Sequence, residues 1–146
     1  MRTFTDDYRF GTTSEEQTLS TILTLDPTLH RNQYKYSPFD YNNAGNTTFV
    51  ELKTRNNAKN KYPTTMIPLS KVKIAEKNPS KTYYFAFKFT DGLYYIQYDK
   101  NLFDTFEVKE GGRWDRGRPE LNQYLYIPVN KLTALLVDVC DNTLPN

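Results

Sequence analysis

The aromatic segment TYYFAFKFTDGLYYIQYD, residues 82–99, restricts the fold more than any other part of this 146-residue sequence. Its two halves alternate along their length and are rich in tyrosine and phenylalanine, which favour β-strands. Asp91-Gly92 lies between them, and an Asp-Gly pair flanked by such runs is a strong signal for a tight hairpin. The segment therefore predicts an antiparallel hairpin and a fold built around a β-sheet.

The rest of the sequence predicts helices and further strands around this hairpin. Residues 12–27 are expected to form a helix that follows Gly11, with Thr13 or Ser14 as its cap, and that ends at Pro27. Strands are predicted at 34–40, 47–53, 103–110 and 122–129, a second helix at 70–79 with Ser70 as its cap, and a closing helix at 130–140 with Asn130 as its cap. We therefore expect one α+β domain over residues 1–146.

Composition excludes several classes of protein. The chain begins without the basic and apolar regions of a secretory signal, and it lacks a run of about 18 apolar residues, so a soluble intracellular protein is expected. A single cysteine, Cys140, excludes an internal disulfide, and a single histidine, His30, leaves too few nitrogen and sulfur ligands for a zinc finger. A bound metal ion would need oxygen ligands.

Positive charge is concentrated in two parts of the chain, although the net charge is only +2. The segment from Lys53 to Lys81 contains one acidic residue, Glu76, among seven lysines and one arginine. A second cluster, GGRWDRGRP, combines guanidinium groups with an aromatic plane, a pairing suited to phosphates and bases. The predicted nucleic-acid contacts are Arg55, Lys59, Lys61, Arg113, Trp114, Arg116 and Arg118. Solvated loops are the alternative interpretation of these charges.

The segment SPFDYNNAGNTTFVELKTRN, residues 37–56, predicts a hairpin that carries charges on one face. If its turn is centred on Gly45-Asn46, Asp40 lies opposite Glu51, with Cβ atoms about 4.5–5.5 Å apart. The strand period of two brings Lys53 to the same face as Glu51 and turns Val50 and Leu52 into the core. Two facing carboxylates destabilise a sheet unless a positive charge, such as a divalent cation, lies between them.

This arrangement suits phosphodiester hydrolysis. Carboxylates can hold Mg²⁺, which polarises a phosphoryl oxygen and lowers the pKa of bound water. The Lys53 side chain would orient the nucleophile, or deprotonate it as the neutral amine, and as an ammonium it would offset negative charge in the transition state. The alternative is a structural, salt-bridged hairpin.

These residues resemble the PD-(D/E)XK nuclease superfamily, in which one strand carries an aspartate and the next carries Glu-x-Lys. The matching residues are Asp40 and Glu51-Leu52-Lys53, although Phe39 separates Pro38 from Asp40 where the family pattern has adjacent Pro-Asp. The resemblance covers roughly residues 8–99. It implies a restriction-endonuclease-like core of α/β/α type, with a mixed central sheet flanked by helices, and a metal shell that includes the backbone carbonyl of Leu52.

Many family members, including small Holliday-junction resolvases, carry a further metal-binding glutamate on the leading helix, four residues after a glycine. Gly11 and Glu15 have that spacing, and Glu16 is the rival. The expected metal ligands are therefore Asp40, Glu51, Leu52 and Glu15, and the expected catalytic residues are Asp40, Glu51, Lys53 and Glu15.

The resemblance implies a Mg²⁺- or Mn²⁺-dependent nuclease. DNA is the expected partner, and the sequence does not separate it from RNA. A chain of this length leaves no room for a separate recognition domain, so selectivity for the shape of the substrate is expected. By analogy, the protein would act as a homodimer or within a larger nucleic-acid-processing complex. A non-catalytic nucleic-acid-binding module on the same fold is the main alternative, and an interaction protein built on the aromatic hairpin is another.

Overall fold

The computed structural model describes residues 18–32, 37–113 and 120–135, which form helices and two β-sheets. The described chain begins in a helical turn, α1, at residues 18–22. The other helices are α2 (Leu69–Lys77) and α3 (Lys100–Phe103), with short 3-10 turns at Lys59–Lys61 and Val129–Lys131. The strands are β1 (Leu29–Arg31), β2 (Tyr41–Asn43), β3 (Thr48–Thr54), β4 (Thr64–Pro68), β5 (Thr82–Phe89), β6 (Gly92–Gln97), β7 (Glu107–Arg113), β8 (Glu120–Pro128) and β9 (Thr133–Ala134).

The main sheet is mixed and has the strand order β1-β2-β3-β5-β6-β9. Strands β3 and β5 are parallel and pair along their whole length, with Glu51 opposite Phe85. The chain between them forms β4 and α2, since a parallel pair needs a crossover connection. All other pairs of this sheet are antiparallel. This confirms the predicted α+β class with a mixed central sheet.

The two faces of β3 pack against different layers. Val50 and Leu52 belong to a cluster with Ile22 of α1 and Ala86 of β5. Phe49 faces the opposite side, where the larger cluster of the protein brings together α2, the β4-β8-β7 sheet and the phenylalanines of β5. Because side chains alternate along a strand, Glu51 and Lys53 share the face of Phe49. The side chains of Glu51 and Lys53 therefore lie on the face of the sheet that is covered by α2, and α1 packs against the opposite face.

A network of asparagine side chains fixes the turn between β2 and β3. The Asn43 carboxamide oxygen accepts hydrogen bonds from the Thr47 and Thr48 amides, at 2.8 and 3.1 Å. The buried Asn42 side chain donates to Asn46 Oδ1, at 2.6 Å. Asn46 has a φ of 55°, in the left-handed region that asparagine tolerates. These bonds hold Tyr41 opposite Val50, which is the predicted register.

The structure corrects several predicted elements. Residues 34–36 of the strand expected at 34–40 lie outside the described residues, residues 38–40 bend, and the strand that pairs with β3 is Tyr41–Asn43. Helix α2 begins at Leu69, so Ser70 lies inside its first turn, and the preceding residue, Pro68, makes no side-chain cap. The prediction of a closing helix is wrong within the described residues, because Thr133–Ala134 pairs with β6 as an edge strand.

Other predictions are confirmed or fall outside the described chain. The β5-β6 hairpin turns where Asp91-Gly92 predicted, with Phe89 opposite Gly92. Gly92 has a φ of 155°, a value that side-chain-bearing residues rarely adopt. The caps proposed for the leading helix, and residues 136–140 of the closing helix, lie outside the described residues. Each helix in the described ranges is too short or too polar to cross a membrane.

Candidate active site

Asp40 and Glu51 meet where the β2-β3 hairpin opens. Asp40 directly precedes β2, next to the last pair of the β2-β3 ladder, in which Tyr41 lies opposite Val50. The Asp40 amide donates to the Val50 carbonyl at 3.1 Å, and its carboxylate Oδ2 accepts from the Leu52 amide at 2.8 Å. The Asp40 carboxylate is thus held against the backbone of the strand that carries Glu51.

Burial of the neighbouring Phe39 explains how the departure from adjacent Pro-Asp is accommodated. The Phe39 side chain is 3% exposed, and its ring lies 5.2 Å from that of Tyr83 and 5.8 Å from that of Phe49. Asp40 follows directly and is exposed. The aromatic contacts therefore anchor the residue before the aspartate in the core and leave the carboxylate at the surface.

Glu51 is buried, with 6% of the residue exposed. Burial raises the pKa of its carboxyl group above the ordinary value of 4.5, and the nearby Asp40 charge raises that pKa further. The ammonium groups of Lys71 and Lys53 act in the opposite direction and lower this pKa. The net shift is upward, so this position disfavours the ionised carboxylate unless more positive charge is supplied.

Two lysines from different elements pair with Glu51. Lys53 Nζ lies 3.3 Å from Glu51 Oε2, and Lys71 Nζ, from the first turn of α2, lies 3.9 Å from Glu51 Oε1. Lys71 also donates to the Pro38 carbonyl, and its ammonium lies 5.3 Å from the centre of the Phe39 ring. It therefore connects α2 to Glu51 and to the segment that carries Asp40.

Sequence reasoning missed Lys71 as a site residue. In the sequence, Lys71 is one cation of the basic segment from Lys53 to Lys81, and its contact with Glu51 depends on how the crossover returns α2 to the sheet. A lysine in the first turn of a helix is also unfavourable to the helix dipole, and this was an available signal that its charge is used elsewhere.

The donor set of the site fits a hard divalent cation. Mg²⁺ is commonly bound through one or two carboxylates, with other oxygens completing its shell. Asp40 and Glu51 provide two carboxylates close enough for Asp40 to raise the Glu51 pKa. Within the described ranges, no group of three or more histidine, cysteine, aspartate or glutamate side chains is placed to hold a metal ion. Glu15 and Glu16 lie outside those ranges.

Arg55 continues the row of charged side chains on this face of the hairpin strand. Its guanidinium donates to the Met66 carbonyl at 2.6 Å and to Thr65 Oγ1 at 3.2 Å, so it links the end of β3 to β4. It also lies 5.8 Å from the centre of the Phe87 ring, and burial lowers the pKa of its guanidinium group below the ordinary value.

The other predicted nucleic-acid contacts are placed differently. Lys59 and Lys61 lie in the 3-10 turn after β3, with ammonium groups 4.9 Å from the Tyr94 ring and 5.6 Å from the Tyr62 ring, respectively. Arg113 ends β7, and its side chain is not described. Trp114, Arg116 and Arg118 lie outside the described residues. His30 is exposed on the short strand β1.

Comparison with known proteins assigns the family. The family model described as "Phage putative PDDEXK endonuclease" matches residues 19–135, a range that includes Asp40, Glu51, Lys53 and Lys71. Neither the curated proteins nor the solved structures give a significant match. The family match spans far more than half of the sequence and agrees with the mixed sheet and the Asp/Glu-x-Lys hairpin, so the chain belongs to this PD-(D/E)XK endonuclease family.

Proposed function

We propose that this protein is a divalent-metal-dependent nuclease that hydrolyses phosphodiester bonds in DNA and selects substrates by shape. One observation carries the proposal: Glu51 is buried beside Asp40 while two lysines pair with it. A site that only stabilised the sheet would gain little from burying a carboxylate whose ionised form is disfavoured. Perturbed carboxylates of this kind are common at catalytic sites.

In this proposal, Asp40 and Glu51 hold Mg²⁺ or Mn²⁺, together with the Leu52 carbonyl and Glu15. The Leu52 amide faces the Asp40 carboxylate, and the N–H and C=O of one strand residue point toward the same neighbouring strand, which supports the choice of Leu52. The bound cation would supply Lewis-acid activation of the scissile phosphate.

The two lysines that pair with Glu51 have different roles in this proposal. Lys53 is the catalytic lysine, which orients the attacking water and offsets charge that develops on the phosphate. Its ammonium is 3.3 Å from Glu51 and its side chain is 30% exposed, so it can contact both the carboxylate and a phosphate that enters from solvent. Lys71 is a positioning residue, because it acts through Glu51 and the Pro38 carbonyl.

DNA would be bound mainly through contacts with its phosphates. Lys59 and Lys61 follow the catalytic strand directly, and Arg55 extends the same face. Arg113, Arg116 and Arg118 are proposed to contact phosphates on the other side of the scissile bond, with Trp114 stacking on an unpaired base. Phosphate contacts position a substrate without reading its sequence. We therefore favour branched or otherwise structured DNA, cleaved by a homodimer or within a larger complex.

The direct test is cleavage of linear, nicked and branched DNA in Mg²⁺, Mn²⁺ or chelator. We expect metal-dependent cleavage, strongest on branched DNA, that Asp40→Asn abolishes. Asp104→Asn is the matched control, because Asp104 is an exposed aspartate that pairs with Lys100 far from the hairpin in sequence. DNA binding without cleavage under all conditions would instead support the non-catalytic module. Full activity of Asp40→Asn would refute the assigned site.

A further inference from the structure

A pocket of about 270 Å³ lies just beyond the end of β3. Two cations, an amide, two tyrosines and a methionine contribute to its lining: Arg55, Lys59, Asn57, Tyr62, Tyr126 and Met66. None of its lining side chains is acidic. By contrast, the pocket beside α2 and α3 includes Glu76 and Asp104, which would repel a polyanion.

The rim of this pocket is unusually apolar for a surface rich in lysine. Three large hydrophobic side chains are exposed in the described residues, and two of them, Tyr62 (53% exposed) and Met66 (40% exposed), line this pocket. The Lys61 ammonium lies 5.6 Å from the Tyr62 ring. Exposed aromatic rings beside cations are the combination that binds unpaired bases, because the ring stacks on a base while the cations contact phosphates.

The backbone around Tyr62 is held on both sides. The Lys59 amide donates to Asp91 Oδ1 at 3.0 Å, which fixes the 3-10 turn to the β5-β6 hairpin. On the other side, the Pro63 carbonyl accepts from the Val129 amide at 3.0 Å. Tyr62 therefore projects from a segment anchored to two neighbouring elements, which lowers the entropy lost when a base stacks on it.

The pocket begins at the end of the strand that carries the proposed catalytic residues. Glu51, Lys53 and Arg55 occupy every second position along the chain, and Arg55 lines the pocket. Four residues of extended chain span about 13 Å. With stacked nucleotides about 3.4 Å apart along one strand, this separation corresponds to about four nucleotides, and to fewer in an extended strand.

We propose that this pocket binds one unpaired base of the nucleic-acid substrate, stacked on Tyr62, a few nucleotides from the cleaved bond. The inference rests on the proposed nuclease function for its substrate class. It adds a single-strand binding subsite that explains how a compact fold distinguishes branched or frayed DNA from intact duplex. An intact duplex keeps its bases paired, so it gains no contact with the Tyr62 ring.

Binding measured in chelator tests the pocket independently of cleavage. Fluorescence anisotropy would compare a short labelled oligothymidylate with a duplex of equal length. We expect Tyr62→Ala to weaken single-strand binding about fivefold or more, the lower end of the effect of losing one base–aromatic stack, and to leave duplex binding within about twofold. Tyr62→Phe should bind like the wild type and Tyr62→Leu like Tyr62→Ala, because only phenylalanine retains the ring.

Val108→Ala is the matched control, since Val108 is the third exposed hydrophobic side chain and lies outside this pocket. Its affinity for both ligands should be that of the wild type. An abasic nucleotide at the stacked position should lower wild-type affinity and abolish the difference between wild type and Tyr62→Ala.

Three results would overturn the inference: unchanged single-strand affinity in Tyr62→Ala, equal losses on single strand and duplex, or no single-strand binding by the wild type. If any of these results is found and the wild type still cleaves DNA in a metal-dependent way, the base-binding proposal is wrong and the nuclease proposal is unaffected. If Tyr62→Ala weakens single-strand binding but the wild type cleaves DNA under no condition, the nuclease proposal is wrong and the base-binding proposal holds.

Discussion

Replacing Glu51 with glutamine removes one buried negative charge and preserves the shape of the side chain. The Glu51 carboxyl has a raised pKa, first because it is buried and second because Asp40 is close. Just above pH 4.5, the Glu51 carboxyl group is therefore more protonated in the folded protein than in the unfolded chain. Wild-type stability should fall as pH rises through the folded-state pKa of Glu51 and then level off, and Glu51→Gln should lack this dependence.

The size of the effect without metal follows from opposing contributions. The glutamine variant loses ion pairs to Lys53 and Lys71, whose side chains are 30% and 22% exposed, and partly exposed pairs contribute about 0–1 kcal/mol each. It also avoids burying a charge, and the raised pKa indicates that this gain is the larger one. At neutral pH we expect Glu51→Gln to be more stable by about 1 kcal/mol or less, a rise in Tm of up to about 4 °C.

Bound metal should make the wild type more stable than Glu51→Gln. At a Mg²⁺ concentration 100-fold above its Kd, binding to the folded state adds about 2.7 kcal/mol, or about 5–10 °C in Tm. Wild type should gain this stabilisation and Glu51→Gln should not. Thermal denaturation across a pH series, with and without Mg²⁺, measures both effects.

Glu107→Gln provides the control for this experiment, because Glu107 is an exposed glutamate paired with Lys109 at 3.4 Å. It should keep both the wild-type pH dependence and the wild-type stabilisation by Mg²⁺. A Tm of Glu51→Gln several degrees below that of wild type in chelator, together with equal Mg²⁺ responses of both proteins, would refute the metal-site reasoning and favour a structural salt bridge.

The remaining predictions concern individual side chains. Lys53→Ala should lower kcat by about 100-fold or more while Kd for DNA changes little; lost affinity with full turnover at saturation would remove Lys53 from the catalytic residues. Lys71→Met should raise the pKa of Glu51 further, so the acidic limb of the cleavage rate against pH should move to higher pH, and an unmoved limb would contradict its positioning role. Lys61→Ala should reduce the slope of log affinity against log salt by about one unit on every DNA substrate, and an unchanged slope would exclude a phosphate contact. Phe85→Ala should destabilise the protein by about 3–5 kcal/mol in chemical denaturation, because Phe85 is 0% exposed at the centre of the larger core; a loss under about 1 kcal/mol would mean that the core refills the space.

The sequence predicted the parts of the site that local rules determine. The asparagine-rich turn sets the hairpin register, and the strand period then places Lys53 on the face of Glu51. Both relations involve residues close in the sequence. The strand register therefore follows from the turn and the alternation of side chains alone.

The parts that the sequence did not predict depend on distant contacts. Lys71 reaches Glu51 only because the crossover returns α2 to the sheet. The segment after Asn130 has apolar residues that fit either a helix or a strand, and pairing with the free edge of β6 decides for the strand. The missed cap of α2 has a similar cause, because the chain enters this helix directly from β4 and Pro68.

The mixed sheet also orders the assembly of the site during folding. Contacts close in sequence form sooner than distant ones, because short loops lose less entropy on closure. The β2-β3 hairpin needs only its own turn, whereas the β3-β5 ladder and α2 must wait until residues 55–81 have crossed over. The two carboxylates are therefore expected to meet before Lys71 arrives, so low pH or divalent cations in the refolding buffer should accelerate this early step by reducing their repulsion.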